Sequence, residues 1–343
     1  MTLILGLESS CDDSAVALVT GDRRILAQAV VGQNEAHRPF GGVVPEIAAR
    51  AHVDILPGLI RQVIAEAKVS LADVDAIAAT AGPGLIGGVM VALLAGKGLA
   101  LAGGKPLIAV NHLEGHALSP RLADPDLAFP YLLLLVSGGH CQLLEVHGVG
   151  RYRRLATTID DAAGEAFDKA AKMLGLAYPG GPAIEALAKS GDARAVPLPR
   201  PLVGSAEPHF SFAGLKSAVQ RAVASGEHRP EDVAASFQLA IADCLADRTA
   251  RALAQTDAPT FVVAGGVAAN HAIRDRLRDL AAQHGRGFSV PPGWLCTDNA
   301  AMIAWAGAER LAAGPTDGYD APARARWPLD EAADKVRGAG VKA

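Results

Sequence analysis

His112 and His116 are the residues of this chain whose type and spacing best suit chemistry. They stand four apart in Asn111-His-Leu-Glu-Gly-His116, and among ten histidines they are the one pair at helical spacing. In a helix both imidazoles project from one face. Two imidazoles on one face can hold a single metal ion, and an acidic residue near the far end of the chain could close the site. The apolar run Leu107 to Val110 reads as a strand that delivers the pair. The bland alternative is two histidines on a packed or solvated face.

The hexapeptide also invites a peptidase reading. A zincin places its glutamate directly after the first histidine ligand. Here Glu114 follows His112 by two residues, about 200° round the helix. It turns away from the histidine face and is badly placed to activate a metal-bound water, which disfavours a metal-dependent peptidase.

The elements that must position these residues alternate between strand and helix. Leu3 to Glu8, Ala15 to Thr20 and Ile25 to Val31 read as a strand meander. A helix over Val43 to Lys68, a strand over Asp75 to Thr80 and a buried helix over Gly87 to Ala102 follow. The pattern then restarts with strands at Tyr131 to Val136, Gln142 to His147 and Tyr152 to Thr158. Helices are expected over Asp161 to Leu174, Pro182 to Lys189, Lys216 to Ser225, Glu231 to Gln255 and Asn270 to Gln283, with a strand at Thr260 to Ala264. Strands followed by helices, twice, predict two similar α/β lobes with a cleft between them and ligands where loops meet strand ends. The expected division is residues 1–111 for the first lobe and 112–296 for the second. A last helix, Asn299 to Ala313, in a C-terminal segment bounded at about 297–325, is expected to pack back on the first.

Four glycine-bearing turns follow predicted strands: Gly82 to Gly88, Ser137-Gly138-Gly139-His140, Pro179 to Pro182, and Gly265 to Asn270. Glycine lets backbone approach a ligand and lets N–H groups converge on an anion, so the set points to phosphate or nucleotide. The first loop matches Gly-x-Gly-x-x-Gly, but Pro83 removes a donor. No Asp or Glu lies between Gly82 and Leu113, where a dinucleotide fold needs one, and no Walker A sequence occurs. A dehydrogenase and a P-loop ATPase are therefore disfavoured.

Composition narrows the class further. Half the 343 residues are apolar and only 4% are aromatic, so the core rests on Ala, Val, Leu and Ile. Four dispersed cysteines form no Cys-x-x-Cys and no basic segment precedes Leu3, so a reducing cytosol and no signal peptide are expected. The stretch Val89 to Ala102, interrupted by Lys97, is short for a bilayer, and no membrane is expected. The net charge of −4 disfavours solo binding of nucleic acid; a local patch, such as Arg151, Arg153 and Arg154, or a second protein would be needed. The tail after about residue 316 is the one segment that reads as disordered.

The Ser-Gly-Gly and Gly-Gly-Val-x-x-Asn loops resemble the nucleotide site of the two-lobed actin, sugar-kinase and heat-shock-chaperone superfamily. With Asn-His-Leu-Glu-Gly-His added, the chain resembles the tRNA N6-adenosine threonylcarbamoyltransferase family, in its bacterial branch, nearly end to end. The resemblance is carried by Gly6-Leu-Glu-Ser-Ser-Cys-Asp12, Gly82-Pro-Gly-Leu85, Leu135-Val-Ser-Gly-Gly-His140, Gly164-Glu-Ala-Phe-Asp-Lys169, Tyr178-Pro-Gly-Gly-Pro182, Phe210-Ser-Phe-Ala-Gly-Leu-Lys216, Ser236-Phe-Gln238, Gly265-Gly-Val-Ala-Ala-Asn270 and Cys296-Thr-Asp-Asn299.

The resemblance implies metal ligands at His112, His116 and Asp298, holding iron by preference or zinc, with open coordination positions. It implies substrate contacts at Leu135, Val136, Ser137, Gly138, Gly139, Asp168, Gly181 and Asn270, and a catalytic role for Asp12 as base or orienting group. Taken alone, Asp168 could pair with Lys169 and Asn270 could cap a helix. Asp13-Ser14 stands where Glu-Thr is common; charge and hydroxyl are kept, so little effect is expected. The implied reaction moves threonylcarbamoyl from threonylcarbamoyl-adenylate to N6 of the adenosine 3′ of the anticodon. The implied partners are tRNA, a smaller paralogue of the same fold and a P-loop ATPase. A peptidase, a small-molecule kinase of the same superfamily, and a nucleotide-binding scaffold are the competing readings.

Overall fold

The computed structural model describes residues 2–40, 42–314 and 316–336. The chain divides into two compact units. The first runs to Leu127 and takes back Val149–Arg151 and Thr297–Glu331; the second centres on Ala128–Gly148 and Tyr152–Cys296.

The first unit is built on β1 (Leu3–Glu8), β2 (Asp13–Thr20), β3 (Ile25–Gly32), β4 (Ala76–Gly82) and β5 (Leu107–Asn111). Their order is β3-β2-β1-β4-β5, with the first three antiparallel and the last pairings parallel. β1 and β4 are buried throughout, which their nearly unbroken apolar runs require. Between β3 and β4 lie the short α1 (Asn34–His37) and the long α2 (Pro45–Ala67), which opens on a proline. α3 (Ile86–Gly103) ends at Gly104, a left-handed cap. α4 (His112–Ala123) starts at the first histidine.

The second unit repeats the plan. β6 (Tyr131–Val136), β7 (Cys141–Gly148), β8 (Arg151–Thr157), β9 (Thr260–Ala264) and β10 (Gly287–Ser289) form a sheet in the order β10-β9-β6-β7-β8. α5 (Ala163–Met173), α6 (Gly180–Ala188), α7 (Ala213–Ser225), α8 (Pro230–Leu253) and α9 (His271–Gln283) accompany it, with a short α10 (Gly293–Cys296). Phe167, Phe210, Phe212, Phe237 and Phe261 anchor its core among small residues. α11 (Ala300–Ala313) returns to the first unit and packs against β1, β2 and α4. Gly6 and Gly307 permit the approach: a Cβ at Gly6 would collide with the Ala300 carbonyl and Ala304, and one at Gly307 with Ala78.

Three expectations need correction. The boundary falls after Leu127, not at residue 111, because α4 packs on α11 inside the first unit. The C-terminal helix ends at Ala313, as the Asn299 to Ala313 reading expects, and does not run on to about 325. Residues 316–331 continue as a strap over β4 and β5, neither helical nor loose: Asp317 donates to the Leu107 carbonyl (3.0 Å) and Arg324 to that of Ala81 (2.8 Å). Residues 337–343 of the expected disordered tail lie outside the described residues. Finally, α3 is not a fully buried helix. Gly88, Val89, Ala92, Leu93, Gly96 and Ala100 face inward, whereas Ile86, Met90, Leu94 and Leu101 are exposed. Among the described residues it is the one helix long and apolar enough to cross a membrane, by length and composition alone.

Candidate functional site

Each member of the histidine cluster sits at the start of a helix fixed by an asparagine cap. Asn111 ends β5, and its Oδ1 accepts from Leu113 N (2.9 Å), so α4 begins with His112 in its first turn. Asn299 does the same for α11, accepting from Met302 N (2.9 Å), and so holds Asp298 one residue outside the helix. His112 and His116 meet edge to face, with ring centroids 4.8 Å apart. Asp298 Oδ1 lies 3.0 Å from His116 Nε2 and 3.4 Å from His112 Nε2.

This arrangement suits a divalent ion. Ligand bonds of about 2.1 Å place neighbouring donors about 3–3.5 Å apart. The three donor atoms lie within 4.8 Å of one another. Both histidines are buried, and His116 Nδ1 has no hydrogen-bond partner. A ring so placed reaches a polar group only through its other nitrogen, the one aimed at Asp298. Burial disfavours a charged His112, but the Glu8 and Asp298 carboxylates outweigh it and hold its pKa well above the ordinary value. Burial would raise Asp298; the charge and hydrogen bond of His112, then those of His116, hold it well below. The cluster thus already holds a positive charge where an ion would bring one.

Glu114 takes no part. Its Oε1 accepts from Gly150 N (3.0 Å), and Oε2 lies 3.5 Å from Arg310 Nη1. Asp12 lies half-buried in the β1–β2 loop, where its carbonyl accepts from Gln33 N (3.0 Å). That loop is clamped from two sides. Ser9 Oγ donates to the Gly88 carbonyl (2.7 Å), and His52 Nε2 lies 3.1 Å from the Cys11 carbonyl with its Nδ1 2.7 Å from Ser14 Oγ. The Cys11 thiol is no ready nucleophile: burial, then Asp12 and Asp298, push its pKa well up.

The glycine turns separate into two kinds. In the Gly82 to Gly88 loop, glycine serves internal packing. A Cβ at Gly82 (φ +132°) would strike the Arg324 carbonyl of the strap, one at Gly84 the Ser10 carbonyl, one at Gly88 the Ser9 carbonyl. No phosphate is needed to explain them. In the second unit, Gly138, Gly139, Gly181 and Gly266 face open space, so nothing in the fold requires glycine there. That leaves room for close approach by a ligand. Three other glycines bring these loops together: Gly164 packs on Ser137 and Gly138, Gly180 on Asp168, and Gly265 (φ +94°) on Val136.

Asp168 accepts from Gly180 N (2.8 Å) and so braces the Pro179–Gly181 turn, while Lys169 pairs with Asp161 and Glu165. Asn270 caps α9 by accepting from Ile273 N (3.0 Å) and donates to Gln238 Oε1 (2.8 Å). Leu135 and Val136 are wholly buried in β6, so any ligand meets their backbone. The structure therefore gathers His112, His116, Asp298 and Asp12 in the first unit. Ser137 to Gly139, Asp168, Gly181 and Asn270 sit in the second. Sequence reasoning gave no role to Glu8 beside His112 or to Gly164 beneath the loops, and it assigned Gly265 to ligand approach where the structure uses it to pack on Val136.

Comparison with known proteins decides the family. The TsaD profile, described as tRNA N6-adenosine threonylcarbamoyltransferase, matches residues 24–305. The chain belongs to the tRNA N6-adenosine threonylcarbamoyltransferase family. A member from Sphingopyxis alaskensis is 75% identical over the whole of both chains, and one from Novosphingobium aromaticivorans is 66% identical, again over the whole of both. Among solved structures, T. kodakarensis HypF aligns with a TM-score of 0.62 at 16% identity, over 91% of this chain and 48% of that one. Component A of the (R)-2-hydroxyglutaryl-CoA dehydratase of Acidaminococcus fermentans aligns at 0.55 and 16%, over 92% and 100%. These two share the fold, the α/β architecture of the actin, sugar-kinase and heat-shock-chaperone class expected of a threonylcarbamoyltransferase.

Proposed function

We propose that this threonylcarbamoyltransferase moves the threonylcarbamoyl group from threonylcarbamoyl-adenylate to N6 of the adenosine immediately 3′ of the anticodon. The tRNAs are those reading codons that begin with A, and AMP is released. The observation that carries the reading is the convergence of His112, His116 and Asp298, inside a chain of this family.

The exocyclic amine attacks the carbamoyl carbon, the bond from that carbon to the phosphate oxygen breaks, and one N6 proton must leave. The amine is conjugated into the purine and is a poor nucleophile, so positioning is the main contribution the protein can make. Backbone amides of Ser137 to Gly139 are suited to the AMP phosphate, whose close approach the bare Cα atoms of Gly138 and Gly139 permit. Gly181 offers the same access beside Asp168. Asn270, with one donor and one acceptor already used, keeps one of each for nucleotide. Asp12 is the carboxylate assigned to orient the amine or take its proton.

His112, His116 and Asp298 would hold one divalent ion, iron by preference and zinc as the alternative. When bound, the ion supplies positive charge that orients and neutralises an anionic donor. A peptidase finds no support, since Glu114 is committed to Gly150 and Arg310. The partners we assign are tRNA, a smaller paralogue of the same fold and a P-loop ATPase, in the cytoplasm. A net charge of −4 favours a shared tRNA surface, and the exposed Ile86, Met90, Leu94 and Leu101 of α3 suit an apolar partner helix.

The test is incubation of the protein and its partners with threonylcarbamoyl-adenylate and an unmodified tRNA, then nucleoside mass analysis. A gain of one threonylcarbamoyl group on adenosine, lost in His112→Ala and Asp298→Ala, is expected. No gain with tRNA bound would return the kinase and peptidase readings.

A further inference from the structure

Glu8 is the last residue of β1 and is completely buried, with 0% exposure. A buried carboxylate is costly to keep unless it is paired and hydrogen-bonded. Among the described residues no lysine or arginine pairs with it. Its ion-pair partner is His112, whose Nδ1 stands 3.0 Å from Oε2. Thr80 Oγ1 also donates to Oε2, and Ser10 N donates to Oε1. The carboxylate is thus held from β4 and from the loop that follows β1, and aimed at one imidazole nitrogen.

We propose that Glu8 is a positioning residue for the metal centre: it fixes His112 with its proton on Nδ1 and leaves Nε2 free as the ligand atom. This rests on the metal reading above. An ionised carboxylate only accepts, so Nδ1 must donate to it. Ser10 Oγ, 3.1 Å from the same nitrogen, can accept as well and does not compete. In the neutral ring Nε2 then carries the lone pair, on the side that faces Asp298. His116 has no such brace, since its Nδ1 is buried and unpaired. Glu8 therefore makes the two histidines unequal, and His112 is the ligand held ready.

The test is metal affinity of the purified full chain, stripped by chelator and titrated with zinc and, without oxygen, with ferrous ion. Glu8→Gln keeps the size and removes the charge. Loss of such an outer brace costs about 10–100-fold in metal affinity, and that weakening is expected at an unchanged metal-free fold. Nitrogen-15 histidine spectra of the metal-free wild type at a pH where His112 is neutral should show its proton on Nδ1; in Glu8→Gln that preference is lost. Thr80→Val, which removes one hydrogen bond to Oε2, is expected to weaken binding by about fivefold, and it answers the question if Glu8→Gln does not fold. A wild type that binds metal while both variants bind it equally well overturns the role of Glu8. A wild type that binds neither ion overturns the metal reading, and this assignment with it.

Discussion

Asp13 carries the clearest pH signature of any single residue. Burial, then the charges of Asp298, Asp12 and Glu8, push its carboxyl up to about 7. The folded chain keeps a proton that the unfolded chain releases near pH 4. Stability from this group is therefore full below about pH 4 and falls as pH rises to about 7. Asp13→Asn should raise the stability of the metal-free protein at pH 8 by on the order of 1–3 kcal/mol, discounted for partial exposure, with no gain at pH 4. Thermal melts at the two pH values check this, and equal gains at both would sink it. Legibility at this scale depended on distance along the chain. The His112 and His116 pair announces itself through spacing. Glu8 does not, because a lone acid in Leu-Ile-Leu-Gly-Leu-Glu reads as a strand end, and its partner lies 104 residues away. Asp298 emerged from family resemblance, since no local pattern links it to a histidine 182 residues earlier.

Elements were legible from period and punctuation. β1, β6 and β9 fall on the residues expected, and the principal helices start and stop within a few residues of theirs. What periodicity could not tell was which glycines serve the fold and which leave space. The structure separates them, and variants should too. Gly265→Ala meets both a positive φ and the Val136 carbonyl, so it should destabilise by about 2–4 kcal/mol. Gly139→Ala meets nothing within the chain. It should leave the melting temperature within a degree or two and still reduce transfer, by lowering affinity for the adenylate. Denaturant melts and a binding titration distinguish the two; a Gly139→Ala chain that binds the adenylate normally would remove that loop from the site. The clamp on the Asp12 loop gives one further variant. His52→Ala removes the contacts to the Cys11 carbonyl and Ser14, leaving those groups buried without a partner. A loss of about 1–3 kcal/mol is expected, with turnover falling more than tRNA affinity. Unchanged turnover in a destabilised chain would make His52 merely structural.

At the scale of the whole chain, the C-terminal strap joins residues that sequence distance had kept apart. Its Pro, Ala and Arg content reads as loose tail because it has no period and little bulk. Its order comes from backbone pairing, which composition does not display. Asp317 side chain and backbone bind Ala109 N (2.9 Å) and the Leu107 carbonyl; Lys97 Nζ reaches the Ala321 carbonyl (2.7 Å). Ala321, Ala323 and Trp327 cover Ala81, Leu93 and Ala109. The Trp327 carbonyl also accepts from Asn111 Nδ2 (2.9 Å), and Asn111 is the cap that seats His112. The strap therefore reaches the histidine site through one residue. A chain ending at Gly314 loses these contacts together, at on the order of 2–4 kcal/mol from uncovered apolar area and lost hydrogen bonds. It should melt earlier and, on the metal reading, hold zinc more weakly by a few-fold. Trp327→Ala in the full chain separates the two effects. It uncovers the apolar patch but keeps the carbonyl on Asn111, so stability should fall while zinc affinity stays near that of wild type. Equal loss of zinc affinity in the truncated chain and in Trp327→Ala would show that general loosening, not the Asn111 contact, connects the strap to the site.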